Sequence, residues 1–91
     1  MSFTIVFTEA YEKQAMSFLK KHPELLERYE KTLRLLKETP HHPSLRLHPS
    51  KGRLKGLHSV SITLSYRITL QLVISKQEIT LVSVGDHNEV Y

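Results

Sequence analysis

Ninety-one residues, of which 40% are apolar and 24% charged, describe one small globular domain spanning 1–91 and exclude a disordered or fibrous chain. Cysteine is absent, which excludes disulfides, thiolate metal sites and a cysteine nucleophile, and no apolar run is long enough to span a membrane. The net charge of +4 is uneven: residues 39–77 carry Arg46, Lys51, Arg53, Lys55, Arg67 and Lys76 with no acid, a pattern that suits a polyanion or acidic partner, with a solvated basic face as the plainer alternative.

The opening Met1-Ser2-Phe3-Thr4 shows no basic stretch followed by an apolar one, so no secretory signal is expected and a cytoplasmic location follows. Phe3, Ile5 and Phe7 alternate with Thr4, Val6 and Thr8, which predicts a first strand. Thr8 suits a helix cap, and Glu9 and Glu12 fall where a helix favours negative charge. Tyr11, Ala15, Phe18 and Leu19 recur at helical spacing, and Lys20, Lys21 and His22 close that helix with cations at its negative end. Pro23 suits the first position of a second helix, whose apolar stripe reads Leu25, Leu26, Tyr29, Leu33 and Leu36. Glu27 and Lys31, and Glu30 and Arg34, have the spacing and order of favourable ion pairs on its outer side. Thr39-Pro40 ends it, leaving an antiparallel helical hairpin.

From His41 to Lys55 the chain reads as loop. Val60, Ile62 and Leu64 then oppose Ser59, Ser61, Thr63 and Ser65, while Tyr66, Ile68, Leu70, Leu72 and Ile74 oppose Arg67, Thr69, Gln71 and Val73. Lys76-Gln77-Glu78 is a turn and Ile79 to Val84 a last strand, so three antiparallel strands follow the hairpin. The expected fold is α+β, in the order β-α-α-β-β-β, with the helices on one face of a mostly antiparallel four-stranded sheet. The other face carries Ser59, Ser61, Arg67, Thr69 and Gln71. Solvation alone accounts for its serines and threonines, but less well for a mid-strand arginine.

His48-Pro49-Ser50-Lys51-Gly52-Arg53-Leu54-Lys55-Gly56 joins three cations to two glycines, which suits phosphate contacts but lacks the P-loop spacing. His41, His42 and His48 have neither acids nearby nor a recognised metal spacing, so no metal is assigned. His87 follows the last strand, where an imidazole could exchange a proton near neutrality, and Tyr91 could stack on a base.

In this order these segments resemble the RelE/ParE superfamily of bacterial toxins, closest to its YafQ-like branch. His48-Pro49-x-x-Gly52-x-Leu54-Lys55-Gly56 resembles that branch's His-Pro-x-x-Gly-x-Trp-Lys-Gly, with leucine in the tryptophan position. Tyr66-Arg67-Ile68 resembles a strand segment that bears an arginine in many relatives, and Gly85-Asp86-His87-Asn88-Glu89-Val90-Tyr91 is similar to the Gly-Thr-His-Asp-Glu-Val-Tyr ending. The resemblance implies a ribosome-dependent mRNA endonuclease working without metal or other cofactor, by attack of a ribose 2′-hydroxyl on the adjacent phosphate. It implies His48 as base, His87 as acid and Arg67 as stabiliser of the phosphorane. Lys55 and Arg53, with Lys51, would hold the RNA backbone and Tyr91 a base. Ser61, Ser65 and Tyr66 stand where YafQ-like relatives have a histidine, an aspartate and a tryptophan. Its partners would be an acidic antitoxin, mRNA and the ribosome with its 16S rRNA, with higher-order toxin–antitoxin assemblies and no membrane. A gyrase-inhibiting role like that of the ParE branch, or an inactive antitoxin-binding protein, are the alternative expectations.

Overall fold

The computed structural model describes residues 2–50 and 56–86. Its elements are β1 (Thr4–Phe7), α1 (Glu9–Lys21), α2 (Leu26–Glu38), β2 (His48–Pro49), β3 (His58–Ser61), β4 (Tyr66–Val73) and β5 (Glu78–Asp86), with short 3₁₀ turns at Pro23–Leu25, Pro43–Leu45 and Ile74–Lys76. The strands form one sheet in the order β1-β5-β4-β3-β2. Among the described residues only the β1–β5 pair is parallel, and the other three are antiparallel.

The sheet has five strands where the sequence predicts four. The added strand is His48–Pro49, paired with His58 and Ser59 at the sheet edge. Two residues cannot display a period of two, and proline is tolerated only at such an edge, so the stretch reads locally as loop.

Thr8 caps α1 as expected, its Oγ1 accepting the Tyr11 N–H at 3.0 Å. Between the helices, the buried Tyr11 and Tyr29 hydroxyls share a hydrogen bond of 2.7 Å. Burial pushes both phenols above their ordinary value, Tyr11 strongly. In α2 the buried stripe is Tyr29, Thr32 and Leu36, whereas Leu26 is exposed. Thr32 can be buried because its hydroxyl donates to the Arg28 carbonyl at 2.7 Å. No ion pair joins Glu27 to Lys31 or Glu30 to Arg34 among the described residues, while Lys13 and Glu9 lie 3.9 Å apart on α1.

The core lies between the helices and one sheet face, where Val60, Ile68, Leu70, Ile79 and Leu81 are wholly buried with Tyr11 and Leu36. Along β5 the inward positions change from odd to even. Leu70 pairs with Leu81 and Thr69 with Ser83, so Val82 is an extra residue, a bulge that turns Val84 back to the core. β1 pairs only with Glu78–Leu81, and the later Val84 N–H donates instead to Gln14 Oε1 of α1 at 2.7 Å. β3 stops at Ser61, and 62–65 form the turn to β4, where Thr63 Oγ1 accepts the Ser65 and Tyr66 N–H groups and Leu64 is exposed. Among the described residues no helix is long and apolar enough to cross a membrane.

Candidate functional site

Strand register decides which side chains share the face away from the helices. His48 pairs with Ser59, Ser59 with Thr69, and Thr69 with Ser83, so these four form one row across β2, β3, β4 and β5. Ser61, Arg67 and Gly85 form the next row. Partners opposite one another in antiparallel strands point the same way, and a long side chain reaches its diagonal neighbours. Arg67 reaches one strand further than its diagonal neighbour Ser59, to β2, and its Nη1 lies 3.1 Å from His48 Nε2. The other ring nitrogen, Nδ1, lies 2.8 Å from the Arg46 carbonyl oxygen.

These two contacts define the hydrogen-bonding state of the imidazole. A carbonyl only accepts and a guanidinium only donates, so Nδ1 carries the hydrogen and Nε2 presents its lone pair to Arg67. A cation therefore sits directly beside a proton acceptor. Both groups are only partly exposed.

The floor beneath them is not a solvated face. Ser59 and Thr69 are 0% exposed, and Ser50 is also buried. Ser50 and Ser59 share a hydrogen bond of 3.1 Å between hydroxyls, and the Ser50 N–H donates to the Leu57 carbonyl at 2.9 Å. The Thr69 hydroxyl finds no partner among the described residues. Solvation thus fails as the reason for these hydroxyls.

Of the residues singled out in the sequence, His48 and Arg67 come together. Lys51, Arg53, Lys55, His87 and Tyr91 lie outside the described residues. Gly56, the last glycine of the basic segment, has φ +94°, a conformation that favours glycine over any side chain. Ser61 sits beside Arg67, while Ser65 is exposed in the β3–β4 turn. Tyr66 belongs to the helix-facing side. Its ring packs edge-on to Phe18 at 5.3 Å between centroids and lies 4.7 Å from the His22 ring at the end of α1. His42 uses Nδ1 to accept the Ser44 N–H at 3.1 Å and also bonds the Ser44 hydroxyl, so it belongs to a turn. Among the described residues no three histidine or acidic side chains gather as a metal site would need. Sequence reasoning missed the Arg46 carbonyl and the Ser50–Ser59 pair. A glycine or asparagine at position 46 would have signalled the left-handed backbone there; arginine gives no such sign.

No protein-family model and no curated protein matches the chain. Solved structures do. A YafQ mutant from E. coli superposes with a TM-score of 0.78 at 16% identity, covering 98% of each chain. A YoeB/ParE toxin from Agrobacterium tumefaciens gives 0.72 at 21% identity over 93% of this chain and 99% of the other. The RelBE2 toxin–antitoxin complex from Mycobacterium tuberculosis gives 0.72 at 18% identity over 96% and 100%. The backbone described above is therefore that of the RelE/ParE toxins, YafQ-like members included.

Proposed function

We propose that the protein is the toxin of a type II toxin–antitoxin system and cuts mRNA at the ribosome without a metal. The observation that carries this reading is the 3.1 Å contact between His48 Nε2 and Arg67 Nη1 on the sheet face away from the helices. RNA cleavage by its own 2′-hydroxyl needs a proton acceptor and a cation within reach of one phosphate. When RNA enters, the phosphate competes for the guanidinium and draws it from Nε2. The freed lone pair takes the 2′-hydroxyl proton, the 2′-oxygen bonds to phosphorus, and Arg67 neutralises the phosphorane oxygens. The bond to the 5′-oxygen then breaks, and His87 supplies that oxygen's proton. The products are a 2′,3′-cyclic phosphate and a 5′-hydroxyl. Lys51, Arg53 and Lys55 hold the RNA backbone and Tyr91 orients a base.

The proposed partner is an acidic antitoxin, as the RelBE2 neighbour is itself a toxin–antitoxin complex. The open groove on the hairpin, about 340 Å³ and lined by Phe7, Tyr11, Ala15, Met16, Leu19 and Tyr29, supports an apolar part to that contact. The acid-free stretch 39–77 supports a charged one. A complex that weakens from 50 mM to 500 mM salt supports the charged part, since the distance over which exposed charges are screened shrinks from about 14 Å to about 4 Å across that range. A complex indifferent to salt assigns the binding to the groove alone.

The test is primer extension on mRNA from a ribosome-containing translation reaction, comparing the wild type with His48→Gln, Arg67→Ala and His87→Gln. Cleavage by the wild type, lost in the variants, is the expected result. Undiminished cleavage in all three overturns the assignment of roles. The exposed turn position of Ser65 and the serine at 61 favour one second reading, gyrase inhibition without acid–base chemistry. Induction of the DNA-damage response with intact mRNA would select it.

A further inference from the structure

Arg46 follows the 3₁₀ turn Pro43–Leu45 and occupies the left-handed region, φ 52° and ψ 43°. A residue with a Cβ enters that region at a cost, so its surroundings must hold it there. Three contacts do so. Leu45, the residue before it, is 1% exposed in the core. The Arg46 N–H donates to the Pro43 carbonyl at 3.2 Å, and the turn is closed at its start by His42 Nδ1 accepting the Ser44 N–H. The outcome is a carbonyl turned forward onto His48 Nδ1 at 2.8 Å. Arg67, arriving from β4, faces the opposite ring nitrogen at 3.1 Å. Two contacts from unrelated parts of the chain thus select the same tautomer, Nδ1–H, which is the minor form of a free neutral imidazole in water.

We propose that Arg46 is a positioning residue acting through its main chain: its left-handed carbonyl holds His48 in the Nδ1–H tautomer and aims the Nε2 lone pair into the space shared with Arg67. The inference rests on His48 being the base of the proposed reaction. It assigns no role to the Arg46 guanidinium, since the carbonyl alone makes the contact. It also explains why an exposed arginine tolerates a backbone conformation that glycine would adopt freely.

The test is a long-range ¹H–¹⁵N correlation spectrum of the histidines in the full chain, at a pH where His48 is neutral. His48 in the wild type is expected as Nδ1–H. Arg46→Gly, which keeps the carbonyl and accepts positive φ, is expected to retain that tautomer. Arg67 also selects Nδ1–H, so Arg46→Val, whose branched Cβ disfavours positive φ, is read together with Arg67→Ala: the double variant is expected to move His48 toward Nε2–H, whereas Arg67→Ala alone keeps Nδ1–H. Arg46→Val alone, which loses the aim of the ring, should lower kcat for mRNA cleavage more than it changes KM, toward the loss of about 10²–10⁴-fold that follows removal of a general base. Three results overturn the proposal: Nε2–H in the wild type, loss of Nδ1–H in Arg46→Gly, or Nδ1–H kept in a folded double variant. If the double variant does not fold, the wild-type and glycine spectra decide. The tautomer is read without RNA, so an Nδ1–H spectrum from a protein that cuts no mRNA upholds the positioning geometry while ending the nuclease reading.

Discussion

The two faces of the sheet are made from alternate residues of the same strands, yet they do different work. On the helix side, Val60, Ile68, Leu70, Ile79 and Leu81 are wholly buried against Tyr11 and Leu36. On the other side, Ser59 and Thr69 are buried just as fully, but they are polar and lie in the row that carries His48. The first face stabilises by removing apolar area from water. The second buries hydroxyls that cost stability unless they are hydrogen-bonded, and keeps a cation beside an unprotonated ring nitrogen. Burial alone therefore does not identify the core; its chemistry does.

The largest expected effects separate the faces by what they damage. Arg67→Ala and His48→Gln should each lower mRNA cleavage by about 10²–10⁴-fold while shifting the thermal midpoint by only a few degrees. Circular dichroism melts beside the cleavage assay check this, and a large fall in midpoint would make the pair structural. On the helix side, Leu81→Ala should cost about 2–5 kcal/mol in urea unfolding, whatever it does to cleavage. A loss under 1 kcal/mol would mean that the packing around β5 collapses onto the gap.

Next in size is the effect of alkaline pH. The folded-state Tyr11 and Tyr29 phenols are raised by burial above the ordinary value near 10, so above that pH the unfolded chain releases protons that the folded chain retains. Stability is thus complete below pH 10 and falls as pH rises beyond it. The double variant Tyr11→Phe with Tyr29→Phe should flatten that fall, and denaturation curves between pH 8 and 11 measure it. Each single variant instead leaves one buried hydroxyl without its partner, at about 1–3 kcal/mol. The smallest effect is the sharpest for the polar face. Thr69→Val replaces a hydroxyl that has no partner among the described residues, so it should be neutral or stabilising by up to about 1–3 kcal/mol. A clear loss of stability on urea titration would show that the hydroxyl is bonded in solution.

Much of this architecture was legible locally. Apolar spacing located both helices, the Thr8 cap and the alternation of β4, because those signals depend on residues a few positions apart. The errors mark what apolar spacing alone does not register. Leu26 lies in the helical stripe by spacing but is exposed, and Thr32 is buried because the Arg28 carbonyl accepts its proton. Leu81 and Val82 are adjacent apolar residues, and nothing local announces that the second is a bulge, which depends on β4 pairing. In the candidate site, His48 and Arg67 were visible as chemistry but not as neighbours.

What the sequence determines alone is the order of elements, the apolar side of most of them and the stock of imidazole and guanidinium groups, since period and composition are local properties of a chain. Tertiary structure decided the fifth strand, the burial of Ser59 and Thr69 and the tautomer of His48. It also brought residues 48 and 67 to 3.1 Å across two strand pairings. Register makes the difference: sliding one strand by a single residue would turn every side chain on it to the opposite face, and no local pattern shows where a strand stops against its neighbour.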